Sequence, residues 1–274
     1  MSSLALPLAV LAELAEPRST IALAETLDRD QVDVEQAVAR LEEAGLVERE
    51  GFGAKTQLVP VGPDLPRLAG QARSATSGEA WQALFGEQRA QLAYVLDAVP
   101  RLELAACVLD EPVEAIRGDA FDLVEVGVLA TEPFQLDPAI AGLGDLLAAI
   151  DALRARKWVQ ARTLEGEVVW HLGPEIVFRA DPPVNDPEVA YGGPSAFDDH
   201  GLAWDGPEDV YVRTRRTLDA SDAILHSLLV YPHDEDVREA CRQLFASEPT
   251  PTFDEKAEIY GLGDDARDLD EAAV

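Results

Sequence analysis

One supersecondary pattern is written twice in this chain, and that repetition limits the folds open to it more than any other feature. The first copy reads LAVLAELAEPRSTIALAETLD at 8–28, then VEQAVARLEEAGLVERE at 34–50; the second reads LAYVLDAVPRLELAACVLD at 92–110, then VEAIRGDAFDLVEVGVL at 113–129. In each copy an apolar helix stops at a Pro-Arg pair (Pro17-Arg18, Pro100-Arg101) and a short helix ends in Leu-Asp (Leu27-Asp28, Leu109-Asp110). A longer helix then stops at a glycine before an apolar pair (Gly45-Leu46-Val47, Gly127-Val128-Leu129). Proline cannot continue a helix, and glycine takes the left-handed conformation that closes one. Matching stops at matching places predict two copies of one helix-turn-helix unit.

Around the first copy, Leu4, Leu8, Leu11 and Leu14 keep helical spacing, and Ser19 and Thr20 are candidate N-caps for the second helix. Residues 28–33 read as the turn. The third helix starts at Val34, buries Val34, Val38, Leu41 and Leu46, and ends at Gly45. Residues 47–61, with Gly51 and Gly53 at the tip, predict a β-hairpin. Three helices followed by a hairpin is the winged-helix order. Residues 63–78 have the Pro, Gly and Ser content of a linker, within which Leu65 and Leu68 can start a connecting helix.

The second unit, 79–158, has a weaker wing at 131–136, where one strand is expected, and a long helix at 145–158 ending in Arg154, Arg156 and Lys157. Beyond it the pattern changes. Short strands at 167–170 and 175–179 flank a turn at 171–174. A Pro/Gly/Asp-rich excursion covers 181–207, and a strand lies at 210–213. A helix capped by Asp219 or Ser221 covers 219–231, with His226 on it as a partly buried residue, and further helices are expected at 234–246 and 254–260. The expected fold is α+β and mostly helical: two tandem winged-helix domains (1–62 and 79–158), a small α+β C-terminal domain (159–262) and a frayed acidic tail (263–274).

Charge sets the terms for any partner. With 52 acidic and 22 basic residues the net charge is −30, and Lys55, Lys157 and Lys256 are the only lysines. Such a surface suits a cytoplasm at molar salt, where screening removes its self-repulsion; a GC-rich genome would also favour Ala, Arg and Val. In a winged helix the third helix enters the major groove and the wing touches phosphate. The first unit therefore offers Gln36 and Arg40 toward base edges, with Arg29, Arg49 and Lys55 toward phosphates, and Phe52 at the hairpin tip. Yet Asp33, Glu35, Glu42 and Glu43 leave that helix at net −3, and the second unit offers only Arg101 and Arg117 beside a helix at net −4. These faces weaken phosphate attraction at low salt; at molar salt that term is small for any protein. The second unit reads as structural or as a dimer surface.

Signals for chemistry are sparse. The four histidines form no zinc pair, and Cys107 and Cys241 are too far apart in sequence to suggest a disulfide framework or a metal cluster. Asp198-Asp199-His200 sits in a turn-rich loop, where solvated side chains are the default. Gly192-Gly193 followed by Asp209-Val210-Tyr211 faintly suggests nucleotidyl transfer, but Tyr211 stands where a second metal-holding carboxylate is needed. No catalytic residue, metal or cofactor is expected. The apolar start has no positive leader region and is interrupted by Glu13 and Glu16, and no apolar run approaches the ~20 residues of a membrane span. A cytoplasmic location follows.

The segments VVWHLGPEIVFRAD (168–181), SAFDDHGL (195–202), LDASDAILHSLLVYPHD (218–234) and KAEIYGL (256–262), following the two repeats, resemble a group of winged-helix proteins common in halophilic archaea. That group is loosely related to ArsR/MarR-type regulators and, in its C-terminal half, is similar to antitoxin-like partners of nucleotidyltransferase toxins. The resemblance covers nearly all of the chain through structural motifs. It implies DNA-linked transcription regulation, with double-stranded DNA as one partner and a protein neutralised through the C-terminal domain as another. A homodimer is the common arrangement of such regulators, and two units in one chain can imitate its symmetry. The alternative is a protein-interaction scaffold without DNA binding, since acidic helix faces suit an Arg-rich partner.

Overall fold

The computed structural model describes residues 5–84, 89–131, 133–181, 183–206, 209–248, 250 and 252–273. Leu4 of the first expected helix, Glu132 in the second wing, Pro207 at the end of the excursion and Val274 at the end of the tail lie outside the described residues. The chain is mostly helical with small antiparallel sheets, an α+β architecture. It divides into two compact units, Met1–Asp97 with Glu114–Arg154, and Ala98–Val113 with Ala155–Val274.

The first repeat forms α1 (Ala5–Ala12), α2 (Thr20–Leu27), α3 (Gln31–Glu43), β1 (Val47–Glu50) and β2 (Gln57–Pro60). Ser19 caps α2, its Oγ accepting from the Ala22 amide at 3.2 Å. Asp28 then turns left-handed at φ 50°, and the Arg29 amide donates to the Ala24 carbonyl at 3.0 Å. This closes the helix end in the way a glycine usually does. Asp30 is extended, so α3 begins at Gln31, three residues before the expected Val34. It buries Val34, Ala37, Val38 and Leu41 and ends with Gly45 at φ 68° and the Leu46 amide bonded to Leu41. The β1–β2 hairpin pairs Val47 with Pro60 and Glu50 with Gln57. Arg18, in the loop after α1, pairs antiparallel with Leu58 and adds one rung to this sheet.

The span expected as a linker is instead largely helical, as α4 (Leu65–Ala75), packed on α1 with Leu65, Leu68, Ala69 and Ala72 buried. Pro66, which suggested a break, lies in the first turn, where its missing amide hydrogen costs no helix bond. After α5 (Gly78–Leu84) comes the second repeat: α6 (Arg89–Ala98), α7 (Leu102–Leu109), α8 (Val113–Glu125), β3 (Leu129–Ala130) and β4 (Gln135–Leu136). It matches the first in local features. α2 and α7 each have 8 residues, α3 and α8 each have 13, and Asp110 is left-handed at φ 54° as Asp28 is. The weak wing has two strands of two residues rather than one strand. By contacts α7 belongs to the second unit, while α8 lies almost wholly in the first.

Asp28 and Asp110 are the non-glycine residues with positive φ among those described. A β-branched side chain there meets the full left-handed penalty, so Asp28→Val should lower the unfolding free energy of the first unit by about 1–2 kcal/mol. Asp28→Gly should leave it within about 0.5 kcal/mol. Urea melts of both variants check this, and equal stabilities would remove the left-handed cap from the argument.

α9 (Ala141–Gln160) is longer than expected, and the division between the units falls within it. The C-terminal unit then builds β5 (Glu167–Leu172), β6 (Glu175–Arg179), β7 (Val189–Tyr191) and β8 (Val210–Arg213) into one antiparallel sheet, order β5-β6-β8-β7. The turn narrows to Gly173-Pro174, leaving His171 and Leu172 in β5, and β7 emerges from the excursion. One sheet face packs Ile176, Phe178 and Tyr211 on Ala155 and Val159 of α9; Val177, Val210 and Val212 form the other. A bulge between Val168 and Trp170 sends these two side chains to opposite clusters.

α10 (Ala220–Val230), α11 (Glu235–Ser247), α12 (Phe253–Tyr260) and α13 (Gly263–Ala273) complete the unit. Asp219 caps α10 reciprocally with Asp222. The segment expected to fray is α13, which packs on α11 and α12 with Ala266 and Leu269 buried.

Candidate nucleic-acid interface and a buried ion network

The exposed side of α3 and the hairpin carry most of the sequence-derived candidates. Gln36 and Arg40 lie one turn apart on α3, both exposed. Arg40 also borders an apolar cleft with Leu8 and Leu41. Arg29 lies in an open hollow lined with Glu25, Asp28, Asp30 and Asp33. Lys55 ends a short 3-10 turn, Gly53–Lys55, at the hairpin tip, where Phe52 is 95% exposed. Gly51 makes this tip possible: its φ is +88°, and a Cβ there would stand 2.7 Å from the Lys55 carbonyl oxygen.

Arg49 is placed differently from its companions. Its Nε donates to Glu42 at 2.9 Å and its Nη2 to Glu35 at 3.0 Å, folding the wing arginine onto the acidic residues of α3. Glu42 and Glu35 raise the arginine's pKa, while a Thr20 hydroxyl bond and Arg49 hold Glu35 below the ordinary carboxylate range. With each partner about one-third exposed, these pairs are worth at most about 1 kcal/mol apiece. A phosphate oxygen could displace them. In the second repeat, Arg89 binds Asp119 and Asp122 of α8, and Arg101 donates to Glu258 and Glu255 of α12.

A second constellation lies in the C-terminal unit and was not identified from the sequence. Arg216 donates to both oxygens of Glu175 at 2.9 and 3.1 Å, to both oxygens of Asp222 at 2.8 and 2.7 Å, and to the Tyr260 hydroxyl at 2.8 Å. Lys256 bonds Asp219 and Asp222 at 2.7 and 2.8 Å. Tyr260 gives its one proton to Glu175, so His226, 2.8 Å from the same hydroxyl, donates from Nε2. Glu175 and Asp222 are 1% and 0% exposed. Burial alone would push both carboxyls up. His226 and Arg216 instead bring Glu175 down to about 2, and Arg216 holds Asp222 well below its ordinary value.

The network ties β6, α10 and α12 together around the segment that carries Arg216. His226 is fully buried rather than partly so, and its Nδ1 has no hydrogen-bond partner among the described residues. Nδ1 faces Gly192, where a Cβ would stand 3.3 Å from it and 2.3 Å from Val212 Cγ2, so the Gly192-Gly193 pair serves close approach to α10. One sequence signal pointed here: Asp219, the cap of α10, and Asp222 and His226 within it keep i, i+3, i+7 spacing on an apolar-rich helix.

The other chemical candidates are engaged locally. Asp209 accepts from Arg179 and from the Tyr231 hydroxyl, Asp198 accepts from the Trp204 amide, and His200 Nδ1 lies 3.3 Å from Glu248. Among the described residues, no three His, Cys, Asp or Glu side chains are grouped to hold a metal ion, and no helix is long and apolar enough to cross a membrane.

Comparison with known proteins bears on the N-terminal part. No curated protein and no solved structure matches the chain. Residues 6–62, from α1 through the β1–β2 hairpin, match the model of a family described as HVO_A0114, a halophilic archaeal family of uncharacterised function.

Proposed function

We propose that the chain is a DNA-binding transcriptional regulator of a high-salt cytoplasm, acting by binding rather than catalysis, with α1–α3 and the β1–β2 hairpin as a winged helix. The observation that carries this reading is the local order itself. A short helix closed by a left-handed Asp leads into a 13-residue helix and then a hairpin, and Arg18 pairs with Leu58 to bring a third segment to that hairpin through one antiparallel bridge. In this reading the second repeat, α6 to β4, follows the same order along the chain in degenerate form. Gln36, with Arg40, meets base edges, while Lys55, Arg29 and an Arg49 released from its carboxylates meet phosphates. The C-terminal unit is the antitoxin-like surface, which holds a protein partner that it neutralises.

Fluorescence anisotropy at molar KCl, on an operator selected from genomic fragments, tests the assignment. Gln36→Ala should cost about 1–3 kcal/mol on the operator and leave random DNA unchanged. Lys55→Ala should lower the salt slope by about 1, so that operator and random DNA are weakened alike as KCl is reduced below molar. Loss of operator and random binding in equal measure for Gln36→Ala would remove its base-reading role.

One observation favours a second reading. Arg49 is held by Glu35 and Glu42 rather than presented to a phosphate, and Asp33 and Glu43 add further negative charge to α3, which suits an Arg-rich protein. A chain that folds, binds no DNA fragment and retains a basic partner in pull-down supports this scaffold.

A further inference from the structure

The long helices of the two repeats align end to end, 13 residues on 13. Their buried stripes match: Ile116, Ala120 and Leu123 of α8 stand where α3 has Val34, Val38 and Leu41. Their outer faces do not. Gly118 stands where α3 has Gln36, Asp122 where it has Arg40, and Phe121 where it has Ala39. The second copy has thus lost the residues assigned to base edges and gained an aromatic ring. Phe121 is 49% exposed, edge-on to Phe134 of the second wing at 5.7 Å between ring centres. A phenyl ring left half in water gains free energy when a partner covers it.

Charge identifies the partner. Arg117 lies one turn before Phe121 and Glu125 one turn after, so the three form an i, i+4, i+8 row with opposite charges at its ends. Both charged residues are exposed, and among the described residues neither is ion-paired. Asp119 and Asp122, which lie off this row, are held by Arg89. A basic partner would meet its own sign at Arg117, and an acidic one at Glu125. The row is complementary to itself when reversed, as a two-fold axis requires. An axis at Phe121 sets Arg117 against a second copy's Glu125 at each end of the contact, and Glu114 falls beyond the end of the facing helix.

Shape agrees with charge. Rows at i±4 spacing pack into the grooves beside the same rows of another helix. Gly118 lies in the groove next to Phe121, and a Cβ there would meet nothing within 4 Å. That open space is where a facing ring fits.

We propose that the outer face of α8 is an isologous interface between two copies of this chain. The two α8 helices run antiparallel, each Phe121 is seated over the other copy's Gly118, and an Arg117–Glu125 pair closes each end. A contact built on part of one helix is small, so the dissociation constant is on the order of 10 µM. The pairing goes beyond the DNA-binding reading and does not rest on it.

Sedimentation equilibrium of the full chain at molar KCl, from about 1 to 200 µM, tests it without DNA. Long-range repulsion between the acidic chains is screened there, so contact terms decide. The parent is expected to show a monomer–dimer equilibrium. Phe121→Asp should raise the dissociation constant about thirtyfold or more, with the thermal melt still cooperative because the side chain is half in solvent. Arg117→Glu and Glu125→Arg should each weaken the dimer about threefold or more, and the two together should restore it to within about twofold of the parent. A parent that is monomeric throughout the range overturns the interface. A dimer unmoved by Phe121→Asp overturns it as well, and a double variant no tighter than the single ones overturns the antiparallel register.

Discussion

Arg216→Met should cost the C-terminal unit about 3–5 kcal/mol, enough to unfold it at moderate temperature. The cause is the number of partners that one guanidinium satisfies. Arg216 makes five hydrogen bonds to Glu175, Asp222 and Tyr260, and its removal leaves Asp222 with Lys256 and Glu175 with only His226, 3.7 Å away, as basic neighbours. An uncompensated buried charge is far more costly than a buried pair is favourable. The triple change Arg216→Met, Glu175→Gln, Asp222→Asn should therefore recover part of the loss, although it has fewer ionic contacts. Trp170 reports the result, because its ring lies 4.7 Å from that of Tyr260. Urea melts followed by tryptophan fluorescence decide it. An Arg216→Met melt within about 1 kcal/mol of the parent would mean that the network is solvated and contributes little.

Acid should have the second large effect. Glu175 has a folded pKa of about 2 against an ordinary 4.5, and Asp222 is lowered in the same direction. Between those values the unfolded chain binds protons that the folded chain does not. The stabilisation is thus fully present above about pH 5 and is lost as pH falls toward 2. For Glu175 alone this is on the order of 3 kcal/mol. Protonating surface carboxylates relieves self-repulsion in a chain of net charge −30, which acts in the opposite sense, so the titration belongs at molar salt, where repulsion is already screened. Glu175→Gln should be less stable at pH 7 and show a shallower decline between pH 5 and 3. Parallel pH profiles for parent and variant would remove Glu175 from the acid response.

The two predictions concern residues that local pattern reading did not group, and the reason is separation along the chain. Glu175, Arg216 and Tyr260 are brought together by a β-strand, a connection and a helix, and neither periodicity nor composition joins residues 41 and 44 positions apart. Features decided within a few residues were legible: the Ser19 and Asp219 caps, the Gly45 and Gly127 helix ends, and the hairpin glycines. Misreadings arose where composition outweighed spacing. Pro66, Gly70 and Ser74 gave the span of α4 the composition of a linker although Leu65 and Leu68 offered a connecting helix, and the acidic residues of α13 hid Ala266 and Leu269 one turn apart. β7 was missed because Val189-Ala190-Tyr191 is short and set among Pro, Gly and Asp. Among the DNA candidates, the residue types were plain from the sequence, but the folding of Arg49 onto Glu35 and Glu42 depends on hairpin register.

Crosslinked chromatin immunoprecipitation of a tagged copy, in its own host at its own salt, tests DNA reading most directly. The proposal predicts a small set of sharp peaks, lost in Gln36→Ala. A flat profile from a folded, crosslinked protein would contradict it and leave the acidic α3 face as a protein-binding surface.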